Sequence, residues 1–113
     1  MKVIDIYRQY FAAECMYNGV ERKGALVCLT ATSDSGEIKY EVNLTFFPHR
    51  DEEDYAVSYD ACATKALYHA KGRRSKKRET TLLPTVQEHV DELAAGLGGR
   101  ILWDQPLRDA QYA

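Results

Sequence analysis

Ala25-Leu26-Val27-Cys28-Leu29-Thr30-Ala31-Thr32-Ser33-Asp34-Ser35-Gly36-Glu37-Ile38-Lys39-Tyr40-Glu41-Val42-Asn43-Leu44-Thr45-Phe46-Phe47 contains two alternating runs about a turn. Ala25, Val27, Leu29 and Ala31 share one face before the turn, and Ile38, Tyr40, Val42, Leu44 and Phe46 share one face after it. A period of two marks a strand with one buried face, so the stretch predicts a β-hairpin over 25–47. Ser33-Asp34-Ser35-Gly36 supplies the turn, because its short polar side chains bond nearby backbone and its glycine accepts a positive φ. Pro48 then removes the donor that a further ladder position would need.

Upstream, Val3, Ile6, Tyr7, Tyr10, Phe11 and Cys15 recur at three- and four-residue spacing, which predicts a helix over 3–17 stopped at Asn18-Gly19. Downstream, Tyr55, Val57 and Tyr59 predict a short third strand beyond the acidic loop 49–54. Asp60 as N-cap, an apolar face of Cys62, Ala63, Ala66, Leu67 and Ala70, and Gly72 as terminator predict a second helix. A mobile basic loop is expected over 72–80. Thr85-Val86-Gln87-Glu88 matches a capping box that opens a helix with Val86, Val90, Leu93, Ala94 and Leu97 on one face, and Gly98-Gly99 ends it. Arg100 to Trp103 reads as a short edge strand and 104–113 as a tail. The expected fold class is α+β: a single domain, 1–113, with a small antiparallel sheet and helices packed on one face.

Apolar residues make up 45% of the 113, with eight Tyr, three Phe and one Trp, enough to offset the entropy of folding and to exclude wholesale disorder. No run approaches the roughly 20 apolar residues of a membrane-spanning helix, and Met1-Lys2-Val3-Ile4-Asp5 lacks the uncharged core of a signal peptide. A cytoplasmic location is expected. Cys15, Cys28 and Cys62 are odd in number and widely separated, so they are expected as buried free thiols rather than as a disulfide framework or metal knuckle. His49, His69 and His89 are spread one per segment, without the spacing of a zinc site. No metal or cofactor is expected.

Charge is the strongest functional signal. Residues 61–78 hold seven Lys or Arg and no Asp or Glu, although the whole chain has 15 basic and 17 acidic residues and a net charge of -2. Such a concentration sets up a local positive field that attracts phosphates or carboxylates whatever the total charge. The candidate polyanion or nucleic-acid site is therefore Lys65, Tyr68, Lys71, Arg73, Arg74, Lys76, Lys77 and Arg78, with arginine forks suited to phosphate oxygens and Tyr68 suited to stacking on an unpaired base. An opposite cluster, Asp51, Glu52, Glu53 and Asp54, with Tyr55 and Trp103, is the candidate surface for a basic or apolar protein partner. Consecutive acids without a glycine bend do not make a calcium loop.

Phosphate-cradling glycine loops, nucleophile elbows, dinucleotide fingerprints and helix-turn-helix pairs are all missing from the sequence, so an enzyme is not expected. A small enzyme assembled from His49, His69, Cys62 and carboxylates is the third-ranked reading. The expected element order is similar to that of the double-stranded RNA-binding domain. That family's lysines stand at the start of its final helix, where this chain has Asp60-Ala61-Cys62-Ala63, and none of its residues carries over. In smallness and in separate acidic and basic patches the chain is similar to anti-CRISPR proteins, a likeness of style without a shared motif. The leading expectation is a non-enzymatic adaptor or inhibitor docking on nucleic acid or a ribonucleoprotein. The alternative is a phage-type inhibitor of a host protein, and aromatic content with an exposed edge makes a homodimer reasonable.

Overall fold

In the computed structural model, which describes residues 1–48 and 61–107, the hairpin is the centre of a larger sheet. Strand β2 spans Val20–Asp34 and β3 spans Glu37–Phe47, paired from Asp34 opposite Glu37 to Gly24 opposite Phe47. Ser35 and Gly36 both adopt positive φ, 52° and 79°, so the turn uses the two positions at which Ser35 tolerates and Gly36 favours a left-handed backbone. The alternating apolar residues of both strands are buried, as the period of two requires.

Two segments expected as helices are strands. Lys2–Tyr17 forms β1 beside β2, and Cys62–Lys71 forms β4 beside β3. Both carry a bulge. In β1 the register slips between Asp5 and Tyr7, so Ile4 faces Ala31, Tyr7 faces Leu29 and Phe11 faces Ala25. One extra residue in a strand turns a spacing of two into three, and that insertion mimics a helical repeat in the sequence. In β4 the slip falls opposite Tyr40 and Glu41, with Tyr68 facing Tyr40 and Ala66 facing Glu41. Its alanines favour a helix locally, but pairing with β3 prevails over propensity.

The expected final helix is present as α2, Val86–Gly96, with Val86, Val90 and Ala94 buried against the sheet. Its capping box does not form: the Thr85 hydroxyl donates instead to the Leu82 carbonyl at 2.6 Å. Before it lie a short helix α1, Lys76–Leu82, and a 3₁₀ turn, Leu83–Thr85. The basic stretch 72–80 is thus irregular only over 72–75 and helical from Lys76. Strand β5, Gly99–Leu107, pairs with β1 as an edge and extends four residues past Trp103 into the expected tail. The acidic loop, the strand expected at Tyr55 to Tyr59, the Asp60 cap and residues 108–113 lie outside the described residues.

The sheet is antiparallel throughout, in the order β4-β3-β2-β1-β5, and helices α1 and α2 carry the chain from one edge to the other. The architecture is α+β, dominated by its sheet. Cys15 and Cys28 are buried, and burial pushes the Cys28 thiol up to about 11, whereas Cys62 is exposed, contrary to the expectation of three buried thiols. Gly98 closes α2 at φ 77°, and Gly99 serves a different need. A Cβ on Gly99 would stand 2.7 Å from Cys15 Cβ and 2.9 Å from the Glu14 carbonyl oxygen. Gly99→Ala is therefore expected to lower the unfolding free energy by about 1–3 kcal/mol in a denaturant titration, because a backbone atom cannot yield as a side-chain tip does.

Candidate nucleic-acid interface

Strand β4 delivers the basic segment to one corner of the sheet. Lys71 ends the ladder opposite Glu37, and Gly72, at φ 129°, donates its N–H to the Gly36 carbonyl at 2.9 Å, tying the exit of β4 to the β2–β3 turn. The chain then leaves the sheet through Arg73 and Arg74. Ser75 is extended at φ -128° and accepts a hydrogen bond on Oγ from the Arg78 N–H at 3.3 Å, the N-cap that opens α1.

What holds this corner is a cluster built on two buried residues, Tyr40 and Glu79. Tyr40 projects from β3 with 0% of its surface exposed; its hydroxyl donates to Glu79 Oε2 at 2.8 Å and accepts the Ser75 N–H at 3.0 Å. Arg74 grips the same carboxylate with two parallel bonds, Nε to Oε2 and Nη2 to Oε1, each 2.9 Å. A forked, charge-assisted pair is the strong form of an ion pair, and here it neutralises the carboxylate of Glu79, whose side chain is only 9% exposed. Arg74 holds the Glu79 carboxyl below its ordinary 4.5, and burial pushes the Tyr40 phenol up. Since the folded value of Glu79 is the lower one, the stability it contributes is fully present above pH 4.5 and disappears as pH falls through the lowered value.

The eight residues of the expected site are divided by this arrangement. Lys65 is on the helix-covered side of β4 and donates to Glu92 of α2 at 2.8 Å. The Arg78 guanidinium lies 3.8 Å from the centre of the Tyr68 ring, so one face of that ring is already covered by a cation. Arg74 is engaged by Glu79, although its side chain remains 42% exposed. Lys71, Arg73, Lys76 and Lys77 are exposed, and their side chains make no ion pair or hydrogen bond among the described residues. Lys2, which sequence reasoning passed over, joins Arg73 and Arg74 along a groove of about 580 Å³ whose other wall is the Asp34 to Glu37 turn. The N-terminal strand pairs beside that turn, with Lys2 opposite Ser33, a proximity invisible while 3–17 reads as a helix.

Of the alternative surface, Asp51, Glu52, Glu53, Asp54 and Tyr55 lie outside the described residues. Trp103 packs edge-on against Phe11 at 4.9 Å between ring centres, and its indole N–H donates to Asp91 at 2.8 Å. His69 stands 3.0 Å from Glu37, and no group of three His, Cys, Asp or Glu among the described residues is placed to hold a metal ion. No helix among them is long and apolar enough to cross a membrane. Comparison with protein-family models, curated proteins and solved structures finds no match.

Proposed function

We propose that this chain is a non-enzymatic binding protein that docks on the phosphate backbone of nucleic acid, bare or within a ribonucleoprotein. The observation that supports the reading is the exposed set Lys71, Arg73, Lys76 and Lys77 on one corner, unpaired by acids among the described residues. Lysines are point charges suited to phosphate oxygens, and Arg73 adds a bidentate donor. Contact with the backbone fits better than base reading, because Tyr40 is buried and Tyr68 is partly capped by Arg78. Binding of this kind is indifferent to sequence.

The test is a fluorescence-anisotropy titration with a labelled duplex oligonucleotide between 50 and 200 mM salt. Four phosphate contacts give a slope of log K against log salt of about -3.6, so affinity is expected to fall by roughly two orders of magnitude over that range. Affinity that does not change with salt overturns the reading.

A further inference from the structure

We infer that Tyr40 and Glu79 are positioning residues for the basic corner: through Arg74 and Ser75 they hold Lys76, Lys77 and Arg73 in the arrangement that meets a polyanion, although neither touches it. The inference rests on the polyanion reading and adds its preorganisation. Glu79, at one end of a short segment, ties back to the other end, since Arg74 grips its carboxylate and its own N–H donates to the Ser75 carbonyl at 3.0 Å. Between those ends lie Lys76, Lys77 and Arg78. The carboxylate is in turn fixed to the sheet by the Tyr40 hydroxyl, which also takes the Ser75 N–H. Two attachments from one buried strand position, joined by the Arg74–Glu79 pair, thus set the path of the basic segment. Without them, those backbone residues would have to be ordered at the moment of binding, at a loss of affinity.

Electrostatics alone and preorganisation make opposite forecasts for Glu79→Gln. Deleting a negative charge among cations and releasing Arg74 raises the local positive field, which by itself tightens polyanion binding. Loss of the anchor loosens the segment, and we expect this to dominate, with binding of the labelled duplex about tenfold weaker at 100 mM salt. Tyr40→Phe changes no charge and keeps the sheet packing; it is expected to weaken binding several-fold with an unchanged salt slope, because the number of phosphates contacted is the same. Amide hydrogen exchange supplies a readout independent of binding. Exchange at Ser75 to Arg78 should accelerate in both variants while the amides of Val27, Leu29, Val42 and Leu44 keep their protection, which also shows that the variants are folded.

Tighter or unchanged binding by Glu79→Gln overturns the inference, as does unchanged exchange at Ser75 to Arg78 in Tyr40→Phe. If the unsubstituted chain shows no salt-dependent binding, the polyanion reading falls, and the exchange data alone decide whether Tyr40 and Glu79 position this segment.

Discussion

A variant with Lys71, Arg73, Lys76 and Lys77 all replaced by Gln is expected to lose duplex binding by about two orders of magnitude at 50 mM salt, with its melting temperature little changed. Each of the four side chains is exposed and makes no ion pair among the described residues, so each substitution alone should alter stability by no more than about 0.5 kcal/mol. Binding, in contrast, depends on them together, because neutralising four phosphates releases the counterions that drive association. A control that removes two cations elsewhere carries Lys65→Gln and Arg100→Gln. Those cations are engaged by Glu92 at 2.8 Å and Glu14 at 2.6 Å, and removing them should change affinity only slightly. Equal losses in the two variants would show a general charge effect with no particular corner responsible.

The hairpin was legible because nothing interrupts its alternation from Ala25 to Phe46, and α2 was legible because a helical stripe of five apolar residues precedes Gly98. Strands β1 and β4 were not, and the cause is the same in both. Each has an insertion that shifts its inward face by one position, at Ile6 in β1 and at Leu67 in β4, so inward residues stand three apart across the bulge. Val3, Ile6, Tyr7 and Tyr10 then imitate a helical stripe, although Tyr10 faces Leu26 on one side of the sheet and Tyr7 faces Leu29 on the other. Length is the distinguishing sign in β1. Sixteen residues without a capping residue at the start fit a long bulged strand at least as well as a helix.

For the candidate site, the sequence located the cations but not their restraint. Local composition identified the run from Lys65 to Arg78, yet whether a charge is free depends on acids brought near it by the fold. Two of the relevant partners were nevertheless hinted at. Ser75 stands before a run that can be helical and has the side chain of an N-cap, and Tyr40 lies on the inward face of the best-defined strand, where a hydroxyl must find a partner. Glu79, four residues after Ser75, was the nearest acid in the chain. The contact across 39 residues between Tyr40 and Glu79 depends on the crossover from β4 and could not be read from spacing.

Phe46→Ala is expected to have the largest effect on stability, about 3–5 kcal/mol, because the ring is 0% exposed and fills the layer between the sheet and the helices. Its location amplifies the loss. Phe46 pairs with Ala25, too small to expand into the vacated volume, and its N–H donates to the Ala61 carbonyl at 2.8 Å where β4 begins. A cavity there loosens contacts of the central hairpin instead of a terminus. Against the roughly 5–15 kcal/mol of an ordinary domain this is a large fraction, visible in urea as a midpoint lower by about 2 M at a typical slope. Phe46→Leu should retain most of the apolar volume and recover more than half of the loss. An alanine variant with an unchanged midpoint would show that this ring is not packed in the core, and with it the placement of the helices over β3 would fail.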